Sequence, residues 1–182
     1  MKGVKIIGAD PENGRSHLDF YPTPPEVTRA LLDVLDIQTG QTILECAAGD
    51  GDMADVLEQY GYSVIRSDIR TGTDFLADTE PRSFDWIITN PPFSLAEQFI
   101  RKCASYKKPF ALLLKSQYWH AKTRLPLFKE FTPARIYPLT WRPNFKFKER
   151  EKSSPLMDVM WCVWMPDKKN YSMYMPIGRT EK

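Results

Sequence analysis

The chain has 182 residues, 42% of them hydrophobic and 26% charged, which predicts one globular domain with a sizeable core. No stretch approaches the roughly 18 apolar residues of a membrane-spanning helix, and no signal-peptide segment follows the charged start, so we expect a cytoplasmic protein. Three cysteines and two histidines, widely spaced, offer neither a disulfide framework nor a zinc site, so no metal is predicted.

The two halves of the chain carry opposite charge. Residues 1–100 contain 7 Lys/Arg and 17 Asp/Glu, a net charge of −10, whereas residues 101–182 contain 18 and 6, a net charge of +12. Two differently solvated faces of one domain would explain this pattern, but the basic half also interleaves its cations with aromatic side chains. Positive charge beside flat rings is typical of a nucleic-acid-binding face. We therefore expect a polynucleotide to approach the basic half.

The first secondary-structure signals follow an aperiodic segment, residues 1–20, which we expect to be a flexible arm. Thr23 precedes Pro24 and Pro25 and is predicted to cap a helix whose apolar residues recur at helical spacing as far as Val34. Further along the chain, hydrophobic patterning predicts helices near 53–60 and 95–103 and strands over 42–46, 63–68, 85–89, 110–114, 135–140 and 156–165. Strands that alternate with helices predict an α/β fold with a parallel sheet covered on both faces.

A glycine-rich turn follows the first predicted strand. Gly49, Gly51 and Ala54 fit the pattern G-x-G-x-x-A, and Asp68 stands 19 residues after Gly49, at the end of the next strand. Such a turn brings the backbone and a helix start close to a nucleotide-like ligand, while the acid accepts from ribose hydroxyls. The turn therefore predicts a cofactor that carries a ribose.

Nicotinamide dinucleotides and S-adenosylmethionine both fit a ribose-binding turn, and three observations favour S-adenosylmethionine. Glu45 and Asp50 place negative charge where a dinucleotide would bring its pyrophosphate. We expect a single domain, without a second one that would hold a hydride acceptor. A rigid polar turn, residues 90–93, also follows a later strand and would project beside the cofactor.

That turn has the sequence Asn90-Pro91-Pro92-Phe93. Two consecutive prolines fix two φ angles, so the Asn90 side chain and the neighbouring carbonyls are held rigidly. Two aimed acceptors beside an aromatic ring suit a planar group that bears an NH2, such as the exocyclic amine of adenine. These four residues are the predicted catalytic residues.

Three segments in this order resemble motifs of the amino-group DNA methyltransferases: residues 23–27, residues 43–51 and residues 90–93. The chain as a whole is similar to the compact adenine-N6 methyltransferases often encoded by bacteriophages, closely over residues 20–100 and loosely beyond. The resemblance implies a Rossmann-like class I S-adenosylmethionine-dependent methyltransferase fold. Its seven-stranded sheet would be mostly parallel, with an antiparallel strand near one edge. DNA methylation, as in restriction–modification systems, is the implied activity.

The resemblance also implies contacts to each part of the cofactor. They are Tyr21, Thr23 and Pro24 at the methionine end, Glu45, Gly49 and Gly51 along the methionine and ribose, Asp68 at the ribose hydroxyls, and Ile69, Asp74 and Phe75 at the adenine. Asp68 as a solvated strand-end acid and Phe75 as a core aromatic are the alternatives.

For the substrate, the resemblance implies that Asn90 and the Pro91 carbonyl accept hydrogen bonds from the adenine N6 amine while Phe93 stacks on the base. The base must be flipped out of the duplex to reach them. Phe145 resembles a second aromatic that holds the flipped base, although a core position in the final hairpin explains it equally well. Lys115, at a strand end, faces either this pocket or solvent.

We expect no separate target-recognition domain, and we therefore expect residues 141–155 to face the nucleic acid, with Arg142, Lys146 and Lys148 contacting it. The chemistry leaves alternatives open: RNA adenine, cytosine N4 or a protein glutamine amide offers a similar NH2 group. Phe93, where cytosine enzymes favour Trp, leans towards adenine, and DNA and RNA remain undistinguished. A catalytically silent nucleic-acid-binding subunit is the alternative outside the enzymes.

Overall fold

The computed structural model describes residues 21–80, 82–145, 157–167 and 171–180, which contain four α-helices and seven β-strands. The helices are α1 (Pro25–Leu32), α2 (Asp52–Gln59), α3 (Ala96–Ser105) and α4 (Leu125–Glu130). The strands are β1 (Thr42–Glu45), β2 (Ser63–Arg66), β3 (Trp86–Thr89), β4 (Phe110–Lys115), β5 (Arg135–Pro138), β6 (Val159–Trp164) and β7 (Met173–Tyr174). The predicted arm, residues 1–20, and most of the predicted nucleic-acid-facing loop lie outside the described residues.

The strands form one sheet in the order β2-β1-β3-β4-β6-β5-β7. Strand β6 runs antiparallel to its neighbours β4 and β5, and the other pairs are parallel. The predicted fold class is therefore confirmed, including the antiparallel strand inserted near one edge. Because β1, β3, β4 and β5 run in the same direction, their carboxyl ends meet at one edge of the sheet, where α/β proteins place their ligands.

Alternate residues of the central strands pack into two hydrophobic clusters, one on each face of the sheet. In β4, Ala111 and Leu113 pack with side chains of α1 and α2, whereas Leu112 and Leu114 pack with side chains of α3 and α4. All four β4 residues are fully buried. A strand covered on both faces has no solvent side for polar residues, which explains its continuous apolar run. No helix in the described part of the chain is both long enough and apolar enough to cross a membrane.

The predicted cap of the first helix is wrong. Pro24 occupies the N-cap position of α1, and no side chain caps this helix. The Thr23 hydroxyl instead accepts a hydrogen bond from the Asn90 side chain, 67 positions away in sequence. The hydroxyl oxygen of Thr23, which local spacing predicted to cap the helix, therefore binds the amide of a residue far away in sequence.

Candidate active site

A pocket opens at the carboxyl edge of the sheet, beside the ends of β1, β2 and β3, with a volume of about 820 Å³ including its open mouth. Seven of the ten predicted cofactor residues line it: Tyr21, Thr23, Glu45, Asp68, Ile69, Asp74 and Phe75. Asn90 and Pro92 of the proline turn line it as well. Segments that are far apart in sequence thus meet in one cavity, as the sheet topology requires.

Two glycines set the loop between β1 and α2 without lining the pocket themselves. Gly49 and Gly51 have φ angles of 57° and 93°, in the left-handed region that residues with a side chain rarely adopt. The Gly49 N–H donates to Oδ2 of Asp68 at 2.8 Å, so the loop is closed against the end of β2. The glycines, like Pro24, therefore shape the cavity through the backbone.

The predicted ribose-binding acid, Asp68, is held from several sides and is only 7% exposed. Its Oδ1 accepts from the Arg70 backbone N–H at 2.8 Å and from Arg70 Nε at 3.1 Å. Arg70 also reaches Asp50, with 3.2 Å between Nη1 and Oδ1. Arg70 is not among the predicted site residues, although a cation two residues after a predicted ligand-binding acid is a usable signal. Asp68 is thus oriented before any ligand arrives, and its remaining lone pairs can accept ribose hydroxyls.

Glu45 lies at the floor of the pocket, only 1% exposed. Its Oε1 accepts from the Ala47 N–H at 3.1 Å and from the Thr89 hydroxyl. Burial raises the pKa of this carboxyl to about 8, against the lowering effect of these two hydrogen bonds. The expectation of a negative charge on Glu45 is therefore wrong at neutral pH. Of the two acids that were expected to oppose the pyrophosphate of a dinucleotide, Asp50 remains, and it lies beside Arg70.

The adenine end of the predicted cofactor site combines an open apolar surface with a buried ring. Ile69 is 54% exposed and lines the pocket. Phe75 also lines it but is 4% exposed, with its ring centroid 5.2 Å from that of Phe99. Asp74 Oδ1 accepts from the Leu76 N–H at 3.0 Å, so its carboxylate caps a local turn. Ile69 offers a face for a flat ligand, and Phe75 belongs to both core and pocket.

The side-chain amide of Asn90 has a defined orientation. Its Nδ2 donates to the Tyr21 carbonyl at 3.0 Å and to Thr23 Oγ1 at 3.1 Å. A backbone carbonyl can only accept, so the nitrogen, and not the oxygen, must face Tyr21. Oδ1 is buried and has no hydrogen-bond partner among the described residues. A buried acceptor without a partner is uncommon because it forfeits its hydration, and it marks a place where a donor is expected.

An aromatic group lies next to this amide. The Tyr21 ring packs against those of Phe93 and Phe145, with centroid distances of 5.5 Å and 5.9 Å. Lys115 Nζ lies 5.0 Å from the Phe93 centroid, so this lysine faces the proline turn. Phe145 is 5% exposed and packs in the core, as one of its two sequence interpretations expected. Tyr21, Phe93 and Lys115 are all partly exposed, and Tyr21 is the one of these three that lines the pocket.

The predicted nucleic-acid contacts are only partly visible. Arg142 is exposed and forms an ion pair with Asp158, with 2.8 Å between Nε and Oδ1. Lys146 and Lys148 lie outside the described residues, so their roles stay predictions. Lys115, by contrast, has no carboxylate within ion-pair distance in the described ranges 21–80, 82–145, 157–167 and 171–180.

No protein-family model and no curated protein matches the chain. Among solved structures, it is similar to a protein of Listeria monocytogenes described as a class I S-adenosylmethionine-dependent methyltransferase, at 15% identity and a TM-score of 0.57. It is also similar to the modification subunit assigned to a type I restriction enzyme of Vibrio vulnificus, at 15% identity and 0.51, and to a protein of Lactococcus lactis described as a hemolysin, at 11% and 0.53.

The alignments cover 87%, 90% and 85% of this chain, but 66%, 48% and 91% of the Listeria, Vibrio and Lactococcus structures. The chain thus spans about half the length of the Vibrio subunit. Identities this low, among proteins with different names, show the fold alone. That fold is the one of class I S-adenosylmethionine-dependent methyltransferases.

Proposed function

We propose that the chain is an S-adenosylmethionine-dependent methyltransferase that modifies the N6 amine of adenine in DNA, on a base flipped out of the helix. The observation that carries this proposal is the Asn90 amide. Its nitrogen is engaged by two protein acceptors, while its buried oxygen lacks a donor among the described residues, at the rim of a ligand-sized pocket. An amine with two N–H groups supplies the donor that this oxygen lacks.

The residues of the pocket fit the proposed cofactor. Asp68 offers an acceptor for ribose hydroxyls, Ile69 offers an exposed apolar face for adenine, and Asp50 places an acid near the glycine loop. Glu45 adds a carboxyl that can ionise when a cation approaches, since its pKa is about 8. When bound, S-adenosylmethionine supplies a methyl group on a positively charged sulfur. The Listeria protein of the same fold supports this choice through its description.

The proline turn would activate the amine. The N6 lone pair of adenine is delocalised into the ring, so the nitrogen is a poor nucleophile while its hydrogens lie in the ring plane. Asn90 Oδ1 and the Pro91 carbonyl would accept these two hydrogens and draw them out of that plane, which localises the lone pair. The nitrogen then gains a methyl group and gives up a proton, with rate enhancement coming from positioning and electrostatics.

Two observations support a polynucleotide as the carrier of the base. Phe93 stands beside the amide with one lysine, Lys115, against its ring, which combines stacking with positive charge at the turn itself. The net charge of +12 over residues 101–182 favours a polyanion over a protein substrate. The name of the Vibrio protein, a modification subunit of a restriction enzyme, supports DNA in particular.

The test is incubation with methyl-labelled S-adenosylmethionine and, in parallel, duplex DNA, single-stranded DNA, RNA or protein, followed by nucleoside and amino-acid analysis. We expect label in N6-methyladenine from DNA. Label in RNA, in N4-methylcytosine or in methylglutamine would replace the substrate but keep the enzyme class. Absence of transfer together with absence of cofactor binding by calorimetry would favour the silent subunit.

A further inference from the structure

We infer that Thr23 is a positioning residue for Asn90, because its hydroxyl oxygen and the Tyr21 carbonyl fix the rotation of the Asn90 amide. This inference rests on the proposed function and adds a role to the cofactor contact expected of Thr23 from its motif. The role concerns the substrate amine, since it determines which end of the amide faces the pocket.

The geometry assigns both amide hydrogens of Asn90. Nδ2 lies 3.0 Å from the Tyr21 carbonyl oxygen and 3.1 Å from Thr23 Oγ1. A flipped amide would place Oδ1 against the Tyr21 carbonyl, two acceptors with no hydrogen between them, and would point the NH2 away from its partners. The flipped amide would also present a donor, instead of an acceptor, to the amine. The two contacts therefore select the orientation that the proposed chemistry needs.

Thr23 is well placed to act as a fixed acceptor. It is 5% exposed and its hydroxyl makes no helix cap, so the oxygen is available to Asn90. Pro22 and Pro24 flank it and restrict the backbone on both sides, and its β-branched side chain has few rotamers. The partner turn is stiffened by Pro91 and Pro92 in the same way. Two proline-stiffened segments thus meet through a pair of hydrogen bonds.

The α1 helix offers a matched control. Thr28 is also a buried threonine, fully inaccessible to solvent, and its Oγ1 has no hydrogen-bond partner in the described part of the chain. Thr28→Val and Thr23→Val therefore make the same chemical change in neighbouring buried positions. Only the second change removes an acceptor from the Asn90 amide.

The experiment compares Thr23→Val, Thr23→Ser and Thr28→Val with wild type. We expect Thr23→Val to lower kcat for DNA about 10-fold, the effect of losing one buried hydrogen bond, while the cofactor Kd from calorimetry changes less than about twofold. Thr23→Ser restores the acceptor and should restore kcat, and Thr28→Val should leave it unchanged. If Thr23→Val does not fold, Thr23→Ala takes its place.

A second readout needs no activity. The side-chain amide signals of Asn90, identified by their loss in Asn90→Ala, should shift in the nitrogen–proton NMR spectrum of Thr23→Val and not of Thr28→Val. Unchanged Asn90 signals, or a loss of activity that lies wholly in the cofactor Kd, would overturn the inference. If wild type methylates no DNA, the proposed function fails, while the NMR comparison still decides whether Thr23 orients the amide.

Discussion

Replacement of Glu45 by Gln should remove the contribution that this carboxyl makes to the pH dependence of the free energy of unfolding. The Glu45 carboxyl is 1% exposed, and burial raises its pKa from the ordinary 4.5 to about 8. The folded chain therefore holds this proton more tightly than the unfolded chain does. Between pH 4.5 and 8 the native state carries one proton more, so its stability falls as the pH rises through this window.

The size of the effect follows from the difference between the two pKa values. Each pH unit within the window changes the free energy of unfolding by about 1.36 kcal/mol. From pH 5.5 to 8 the contribution of Glu45 therefore falls by about 3 kcal/mol, a large part of the stability of a typical domain. The glutamine side chain of the variant keeps the shape and an oxygen for the Thr89 hydroxyl but does not titrate.

The assay is urea unfolding, followed by circular dichroism, of wild type and Glu45→Gln at several pH values from 5.5 to 8.5. The difference in unfolding free energy, wild type minus variant, should decrease by about 3 kcal/mol over this range. Glu80→Gln, at an exposed position, controls for the loss of one formal charge. A difference that stays flat with pH would refute the reasoning, because it would mean that Glu45 is ionised in the folded state throughout.

Two further predictions concern the nucleic-acid face. Lys115→Met should weaken DNA binding and reduce the slope of log affinity against log salt concentration by about 0.9, the value for one lost phosphate contact, whereas Lys108→Met, at the opposite edge of the sheet, should leave the slope unchanged. An unaltered slope for Lys115→Met would remove that lysine from the interface. The sequence-based interface is tested by changing four cations of the 141–155 region together to Gln: Lys146, Lys148, Arg150 and Lys152. This variant should show a weaker salt dependence of DNA binding than Lys115→Met does, and a slope equal to that of wild type would place the interface outside this region.

The sequence predicted the parts of the site that local patterns encode. The strand, glycine turn and helix around Gly49 follow from spacing within about a dozen residues. The proline turn at Asn90 is recognisable from four consecutive residues. The parallel direction of the first four strands follows from their alternation with helices, because parallel strands need crossovers, whereas their order in the sheet was not predicted. Helix α4 and strand β7 were missed. Six and two residues are too few to show a period, and both β7 residues are exposed, so no hydrophobic alternation marks it.

The unpredicted parts depend on distant contacts or on burial. The position of Thr23 before two prolines predicted a helix cap. Nothing in the neighbouring sequence shows that its hydroxyl oxygen instead accepts a hydrogen bond from the Asn90 amide. The protonation of Glu45 follows from the sheet and helices that enclose it, which no residue spacing reveals. Lys115 had an exposed and a pocket-facing interpretation; in the structure it packs against the Phe93 ring without lining the pocket, a contact between distant segments that no local pattern reveals. The sequence motifs indicated which ligands the site could bind. Tertiary packing determined the orientation, protonation and contacts of its side chains.

The central claim is that the Asn90 oxygen receives the amine of a flipped adenine. The most direct measurement is mass-spectrometric quantification of N6-methyladenine in DNA treated with S-adenosylmethionine and either wild type or Asn90→Ala, with the cofactor Kd of both measured in parallel. We expect wild type to form N6-methyladenine and Asn90→Ala to form none while it binds the cofactor with similar affinity. Equal amounts of methyladenine from both proteins, or none from wild type, would contradict the claim.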